Sequence, residues 1–387
     1  MEKVRMGILG IGNMGTAHLK NVMEGKCPEI EVTACCDLKA ERLDYVKEVS
    51  GGKIACFEKA EDMMDSGLID AVLVAVPHYD HPRYAIAAME RGLHAMVEKP
   101  SGVYTKQVRE MNEMADKCSV KFGMMFNQRT NCLYRKMKEI IESGELGQIR
   151  RTSWIITDWY RPQAYYDSGN WRATWRGEGG GVLLNQCPHQ LDLWCWICGM
   201  PKKVTAFLKF GQWHNIEVED DVTAYVEYEN GATGTFITTT GDVPGSNRFE
   251  ITCEGGKLVA EGGKLKMWKL AMTEPEFSKV NEYPFAKPDM EVTEVELDGS
   301  HPKHPGVLNA FAAAILRGED MIADGREGIN GLTLSNAMHL SAFLGKTVEI
   351  PFDEDVYYEE LKKRIDASAL KDSKEKVFVN IDSSYGS

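Results

Sequence analysis

A lysine and a histidine that lie far apart in the chain are the first candidates for catalytic side chains. Lys99 belongs to Glu98-Lys99-Pro100, which ends an apolar run, and Pro100 disfavours a helical conformation for the lysine. His189 follows the glycine run 179–181, and Pro188 predicts that a helix starts just before it. A surface lysine in a turn and a structural histidine are the alternatives. Their sequence contexts favour a functional site in both cases.

A glycine-rich turn near the start of the chain predicts a dinucleotide site. The apolar run Val4–Leu9 leads directly into Gly10-Ile11-Gly12-Asn13-Met14-Gly15 and then into a predicted helix. Gly10 permits the tight turn, Gly12 lets the backbone approach a pyrophosphate, and Gly15 lets the helix pack close to the strand. The helix start, with Asn13 and Met14, offers N–H groups and a partial positive charge to phosphates.

Asp37 predicts which dinucleotide is bound. It ends the second apolar run, and a carboxylate at this point can accept hydrogen bonds from both adenosine ribose hydroxyls. It would repel a 2′-phosphate by about 1–4 kcal/mol at contact distance. We therefore expect NAD(H) rather than NADP(H); a turn-initiating aspartate is the alternative. Pro77, His78 and His81 follow the apolar run 71–76, and we expect them to line the nicotinamide end of the cleft.

Length and composition limit the kind of protein. A chain of 387 residues predicts two domains, and a net charge of −13 argues against a nucleic-acid-binding surface. The ten cysteines are scattered, which suits a reducing compartment, and Cys195 and Cys198 are expected to be core residues rather than a redox or metal pair. No metal site is expected. No signal peptide or membrane span is recognisable, so we expect a cytoplasmic location.

The pattern of predicted elements defines the fold class, α/β. Up to residue 125, strands and helices alternate, which predicts a Rossmann domain with a doubly wound parallel sheet. Residues 126–370 predict an α+β domain with a large, mostly antiparallel, open sheet for substrate binding and oligomerisation. Its helical neighbours are expected at 188–198, 307–316 and 328–344, and its uncovered face is a candidate oligomer surface. Residues 371–387 form a C-terminal tail with a strand-like piece at 377–381.

Taken together, the three motifs resemble the Gfo/Idh/MocA family, named after glucose–fructose oxidoreductase, inositol dehydrogenase and a rhizopine catabolism protein. The family pattern has a GxGxxG start, an EKP segment and a GGG-x-L-x-D-x-G-x-H-x-x-D segment, and the resemblance covers nearly the whole chain. It implies hydride transfer between a nicotinamide cofactor, in some members tightly bound, and a sugar, polyol or related alcohol, often in dimers or tetramers. Smaller matches imply cofactor contacts for Asn127, Trp171 and Arg172.

By this resemblance Lys99 and His189 correspond to the catalytic lysine and histidine, but position 185 departs from the pattern. Asn185 stands where the family has its catalytic aspartate, and an amide cannot accept a proton or carry charge. Either Lys99 and His189 suffice, or another group compensates. Asn185 is expected to hold a substrate hydroxyl or to orient the imidazole. The segment Asn185-Gln186-Cys187-Pro188-His189 resembles a bacterial subgroup that oxidises the glucose 3-hydroxyl of O- and C-glycosides.

These residues predict a reaction and a set of substrate contacts. Neutral His189 would take the hydroxyl proton, and ammonium Lys99 would stabilise the alkoxide. Aromatic and charged groups suit sugar faces and hydroxyls, so the expected substrate contacts are Asp158, Tyr160, Arg161, Tyr166, Gln186 and His189. Two alternatives stay open: an NAD-dependent glycoside hydrolase that oxidises C3 transiently and eliminates the aglycone, and a non-enzymatic NAD-bound sensor. A sensor has no need of the Lys99–His189 pair.

Overall fold

A computed structural model describes residues 3–371, which contain two β-sheets flanked by helices. In the first 126 residues, strand and helix alternate as predicted. The elements of this part are β1 (Val4–Leu9), α1 (Asn13–Met23), β2 (Ile30–Cys36), α2 (Ala40–Ser50), β3 (Ala55–Phe57), α3 (Ala60–Met64), β4 (Ala71–Val74), α4 (His81–Glu90), β5 (His94–Val97), α5 (Thr105–Lys117) and β6 (Phe122–Met124). The three-residue strand β3 is an element that the sequence pattern does not reveal.

The first sheet has the strand order β3-β2-β1-β4-β5-β6, and all of its neighbours pair in parallel. This is the order of a doubly wound dinucleotide-binding sheet, and it confirms the predicted Rossmann architecture. Successive strands are added on one side of β1 up to β3 and on its other side from β4 onwards, so the strand order reverses between β1 and β4. Since ligands bind outside the carboxyl ends of the strands at such a point, the loops after β1, β4 and β5 surround the expected cofactor cleft.

The second sheet is large and mixed. Residues 127–371 contain, besides short 3₁₀ turns, α6 (Cys132–Ser143), β7 (Ile149–Ile156), α7 (Gln163–Tyr166), α8 (Pro188–Cys198), β8 (Lys203–Phe210), β9 (Glu219–Glu227), β10 (Thr233–Thr239), β11 (Asn247–Cys253), β12 (Gly256–Glu261), β13 (Lys264–Leu270), α9 (Glu274–Val280), β14 (Met290–Glu294), α10 (Lys303–Arg317), α11 (Gly328–Leu344), β15 (Val348–Glu349) and α12 (Glu354–Ala367). The strand order is β14-β13-β12-β11-β7-β10-β9-β8-β15, and only β7 and β10 pair in parallel. This confirms a mostly antiparallel open sheet.

One face of this sheet packs on helices and the other is open. Alternate residues of β9 are buried, which places Val222, Ala224 and Val226 on the helix side together with α8 and α11. The opposite face exposes Phe207 and Tyr225. That a second copy of the chain covers this face stays a prediction.

Helix α10 lies on the first sheet, and this corrects the expectation that residues 307–316 flank the antiparallel sheet. Val307, Leu308 and Phe311 belong to the same buried cluster as Met6 and Ile8 of β1. A parallel sheet must be covered on both faces, and its own helices leave part of one face bare. The chain therefore returns to the first domain after the antiparallel sheet. The domain boundaries 1–125 and 126–370 stay a prediction that follows chain order.

The predicted strand at 377–381 lies outside the described residues. Lys371, the last described residue, donates its backbone N–H to Asn170 and its ammonium to the carbonyl oxygen of Tyr166, over 3.0 and 3.2 Å. None of the helices between residues 3 and 371 combines the length and apolarity that a bilayer crossing requires.

Candidate active site

The turn between β1 and α1 has the geometry expected for a pyrophosphate-binding loop. Gly10 has φ of +92°, and a Cβ there would approach the carbonyl oxygen of Ala75 to 2.6 Å. A Cβ on Gly15 would collide with the carbonyl oxygen of Gly10. Gly12, in contrast, has no neighbouring atom within 4 Å of its Cβ direction. Gly10 and Gly15 thus allow helix and strand to pack closely, and Gly12 leaves open space where a phosphate can approach the backbone. The loop therefore fits the pyrophosphate of a dinucleotide.

Asp37 lies beside this turn, at the end of β2. Its carboxylate accepts the backbone N–H of Ile11 at 2.7 Å and that of Lys39 at 2.9 Å. The side chain is half-buried. The acidic group is therefore fixed next to the glycine loop and still reaches solvent, the position that ribose hydroxyls require.

A buried histidine–carboxylate contact lies behind the candidate lysine. Glu98 ends β5, and its carboxylate lies 2.6 Å from Nε2 of His18 on α1. Burial opposes ionisation of Glu98, but the hydrogen bond and charge of His18, with His304 and Lys99, lower its pKa to about 2. The Glu98 carboxylate also accepts the backbone N–H of Lys99 at 3.1 Å. The strand end that presents Lys99 is therefore anchored by a fixed negative charge.

Lys99 reaches from the first domain to the segment that precedes α8. Its Nζ donates to the carbonyl oxygen of Asn185 over 3.0 Å. Burial lowers the pKa of this ammonium below its usual range, and the carboxylates of Glu98 and Glu178 oppose that effect. The side chain links the edge of the parallel sheet to the second domain.

His189 lies in the first turn of α8, as predicted, four residues after the Asn185 carbonyl that Lys99 contacts. Its side chain is buried, its Nδ1 has no hydrogen-bond partner among the described residues, and its ring meets that of Phe126 edge-on at 6.2 Å. Burial lowers the pKa of His189 well below its usual value, and the nearby charge of Lys99 lowers it further. The imidazole is therefore neutral at pH 7 and retains a nitrogen that can accept a proton.

The side chain of Asn185 is bonded to groups other than the imidazole of His189. Its amide donates to a carboxylate oxygen of Glu178 at very short range and to the hydroxyl of Tyr165 at 3.3 Å. Two roles are expected for Asn185, and one of them is to orient His189. The structure has no hydrogen bond from Asn185 to Nδ1 of His189 that would do so. Contact with a substrate hydroxyl stays a prediction.

The loop after β4 joins the two domains. Pro77 precedes a 3₁₀ turn that starts at His78, and Nδ1 of His78 lies 3.3 Å from the carbonyl oxygen of Glu178. The ring of His81 bridges two loops, with its nitrogens 2.7 Å from the carbonyl oxygen of Val76 and 2.6 Å from that of Pro100. These residues belong to the loop after β4 and the start of α4, and His81 holds this loop against Pro100, the residue that follows Lys99.

The three residues assigned to the cofactor only by resemblance occupy separate positions around this cleft. Trp171 meets the ring of His78 edge-on at 5.9 Å. Arg172 donates to the hydroxyl of Tyr165 at 3.0 Å and lies over the Tyr165 and Trp171 rings. Asn127 starts the 3₁₀ turn after β6 and is buried, with no partner for its amide oxygen among residues 3–371. An unpartnered buried oxygen of this kind is available to a ligand.

The predicted substrate contacts differ in their exposure and in their hydrogen-bond partners. Tyr160 is 45% exposed, and Arg161 lies over the rings of Trp159 and Tyr165. Asp158 is partly buried, which raises its pKa. The amide of Gln186 donates to the hydroxyl of Tyr165 at 3.2 Å.

Tyr166 has a different environment from the other predicted contacts. Its ring is only 3% exposed, and its hydroxyl donates to Oγ1 of Thr240 at 2.7 Å. The hydroxyl is thus already paired inside the second domain. Its neighbour Tyr165 instead collects the donors of Arg172, Asn185 and Gln186. The geometry favours Tyr165 over Tyr166 as the tyrosine of the site.

Sequence reasoning missed Glu178 and His18, and it chose Tyr166 rather than its neighbour Tyr165 as a substrate contact. Glu178 is the more important omission, because it is a buried carboxylate in direct contact with Asn185. Its position immediately before the glycine run was a usable signal, since acidic residues are rarely buried without a partner. His18 had no signal, because only the tertiary structure brings its side chain to the carboxylate of Glu98 at the end of β5.

Two other acidic or sulfur-containing groups have structural surroundings. Asp192 forms a buried, two-pronged ion pair with Arg129, at 2.7 and 2.9 Å, which agrees with a structural role. Burial raises the pKa values of the Cys195 and Cys198 thiols well above the usual range, so both are unreactive thiols at neutral pH, partly buried against the core. No cluster of potential metal ligands occurs between residues 3 and 371.

The Rossmann sheet and its glycine loop place the chain among the NAD-binding oxidoreductases. Residues 4–126 match the model of an oxidoreductase family with an NAD-binding Rossmann fold, and residues 134–259 match the Gfo/Idh/MocA C-terminal domain. The chain belongs to the Gfo/Idh/MocA family.

Two curated proteins and one solved structure illustrate what the chain is similar to. The chain is 28% identical to the rhizopine catabolism protein MocA of Rhizobium meliloti over 51% of this chain and 58% of MocA. It is 27% identical to the D-glucoside 3-dehydrogenase of Escherichia coli over 52% of this chain and 61% of that enzyme. The matches thus span less than two thirds of these two relatives. The WlbA dehydrogenase of Chromobacterium violaceum, solved with NADH and UDP-GlcNAcA, superposes with a TM-score of 0.78 at 28% identity, over 91% of this chain and 97% of WlbA.

Proposed function

We propose that this protein oxidises a secondary hydroxyl of a sugar or glycoside, C3 being the favoured position, with His189 as general base and Lys99 as the group that stabilises the alkoxide. The observation that carries the proposal is the 3.0 Å hydrogen bond from the Lys99 ammonium to the Asn185 carbonyl oxygen. Asn185 precedes His189 by four residues. The side chains of Lys99 and His189 are close enough for the charge of Lys99 to lower the pKa of His189. A cation and a neutral base therefore serve one cleft.

The chain's residues perform the proton and charge steps of this reaction. When NAD is bound, its oxidised nicotinamide accepts the hydride from the carbinol carbon. Neutral His189 takes the hydroxyl proton and later releases it to water, and this step typically contributes about 10²–10⁴-fold to the rate. Lys99 stabilises the negative charge that develops on oxygen. Asp37 and the glycine loop hold the dinucleotide.

Other groups of the cleft suit a carbohydrate. Tyr160 offers an aromatic surface to sugar C–H groups, and Asp158 and Arg161 offer an acceptor and donors to hydroxyls. The similarity to D-glucoside 3-dehydrogenase supports C3 as the oxidised position. The proposal has four further parts. The protein forms an oligomer through the open face of the second sheet, retains NAD tightly and oxidises glycosides in the cytoplasm. Its cofactor is also contacted by Asn127, Trp171 and Arg172.

The test compares active-site variants with a surface control. Free sugars and nitrophenyl glycosides are mixed with protein and NAD, and NADH absorbance is followed. Lys99→Ala and His189→Ala should each lower kcat by about 10²-fold or more while NADH binding is retained, and Lys117→Ala, an exposed lysine on α5, should behave as wild type. Near-wild-type turnover of His189→Ala would remove the histidine from its role.

The same substrates decide between oxidation and hydrolysis. A dehydrogenase accumulates NADH and a keto glycoside, with one NAD consumed per turnover. Release of nitrophenol without added NAD and without net NADH formation would replace the dehydrogenase proposal with the hydrolase that oxidises C3 transiently.

A further inference from the structure

The site contains a buried carboxylate that the motif-based assignment does not include. Glu178 is only 2% exposed, and one of its oxygens accepts the Asn185 amide. The other oxygen accepts the backbone N–H of Ala173, a residue with φ of +52°, an uncommon conformation outside glycine. The backbone between Ala173 and Glu178 thus turns around this carboxylate and fixes it.

The identities of residues 178 and 185 are complementary. Asn185 can donate to Glu178, whereas an aspartate at 185 would bring two carboxylates together, and one of them would have to bind a proton. The same Asn185 accepts the Lys99 ammonium on its backbone carbonyl. Glu178, Asn185 and Lys99 therefore form one continuous hydrogen-bonded chain.

The charges around Lys99 show why a carboxylate is needed at this point. The guanidinium groups of Arg172 and Arg161 repel its ammonium, and burial opposes its charge. Of the two carboxylates that favour the ammonium, Glu98 is already bonded to His18. Glu178 is the one on the second domain. The other titratable groups that face Lys99 are His78, His81, Cys187, His189 and His304.

We propose that Glu178 is the positioning carboxylate of this site: it holds Asn185, through Asn185 the Lys99 ammonium, and together with Glu98 it supplies the negative charge that keeps Lys99 protonated. Residue 185 can then be an amide, because Glu178 supplies a carboxylate to the cleft. Burial raises the pKa of Glu178, whereas the charge of Arg172 and the hydrogen bonds from Ala173 and Asn185 favour its ionised form. The other titratable groups that face Glu178 are Lys99, Lys371, Tyr166 and Glu219. This inference rests on the proposed role of Lys99 as the cationic group.

The test moves the negative charge from one residue to the other. Glu178→Gln removes it, and the double variant Glu178→Gln/Asn185→Asp places it on residue 185 while keeping one amide and one carboxylate in contact. Glu217→Gln is the matched control, because Glu217 is a partly buried carboxylate in the same domain that is bonded to Trp175 and Ser368. Each full-length protein is acetylated with acetic anhydride over a range of pH, and modification of Lys99 is quantified by peptide mass spectrometry.

Loss of an opposite charge at close range lowers the pH of half-maximal reactivity of an amine by about one pH unit or more. We expect this shift for Glu178→Gln, wild-type behaviour for Glu217→Gln, and a return to within about 0.3 pH unit for the double variant. If Glu178→Gln does not fold, the double variant still decides, since it retains the pairing. A Lys99 labelling curve unchanged in Glu178→Gln would overturn the proposal. So would a double variant that is unfolded or that shows the shifted curve.

The labelling result needs no substrate, so it is separate from the proposed reaction. If wild-type protein oxidises no sugar or glycoside but the labelling curve shifts, the proposed function fails and the role of Glu178 stands. Where turnover is measured, Glu178→Gln should move the alkaline limb of the kcat profile to lower pH by the same amount and leave KM unchanged. A loss of kcat that is equal at every pH would contradict charge control of Lys99.

Discussion

The glycine loop offers a matched pair of substitutions that separates cofactor binding from packing. Gly12→Ala adds a methyl group where no atom lies within 4 Å, and Gly12 has a φ of −72° that any residue adopts. Gly15→Ala adds the same methyl group against the carbonyl oxygen of Gly10. The two positions lie in one loop, so the chemistry of the change is identical and only the surroundings differ.

The structure sets the magnitude of each effect. A methyl group that meets backbone cannot be relieved by a side-chain rotation, so Gly15→Ala must move α1 away from β1, and we expect the upper end of overpacking costs, about 3 kcal/mol. At roughly 2 °C for each kcal/mol, Tm should fall by about 6 °C. Gly12→Ala only replaces a glycine helix cap, which costs less than about 1 kcal/mol. Its methyl group occupies the approach to the pyrophosphate, and we expect NADH to bind at least about 10-fold more weakly.

Thermal unfolding and NADH fluorescence titration measure the two quantities on the same samples. We expect Gly12→Ala to keep a Tm within about 2 °C of wild type and to lose affinity, and Gly15→Ala to lose stability first. If Gly12→Ala binds NADH as wild type does, the open space beside Gly12 is not where the pyrophosphate lies. If Gly15→Ala is fully stable, the contact between α1 and β1 is looser than the structure describes.

Three further outcomes are expected. Because burial lowers the pKa of His189, the neutral base persists in acid, and kcat/KM should stay level as pH falls through about 6.5 and decline only below it; a decline centred at or above pH 6.5 would contradict this. Asp37→Asn removes the charge that repels a 2′-phosphate and should raise the NADPH-to-NADH affinity ratio at least about 10-fold, measured by titration with each nucleotide, whereas an unchanged ratio would place Asp37 away from the ribose. Phe311→Ala should lower the free energy of unfolding in urea by about 3–5 kcal/mol, because Phe311 is fully buried against the first sheet; exposed Leu38→Ala is the control, and equal stabilities would show that α10 is not part of that core.

The sequence by itself determined the first sheet and the position of the cofactor loop. Runs such as Val4–Leu9 and Ala71–Val74 are apolar because parallel strands are buried on both faces, and the glycines and Pro77 mark where the chain leaves them. These are local signals, with pattern and chemistry in the same short segment. Helices α8 and α11 were predictable to the residue for the same reason.

Only the tertiary structure decided which groups meet in the cleft. Helix α10 has an apolar stripe that fits either sheet, and nothing in its own residues states that it covers β1. Likewise Glu178, Tyr165 and His18 acquire their importance from partners that are distant in the chain or across the domain boundary. A buried charge is tolerated only where a partner is present, and which partner is present depends on how distant segments pack together.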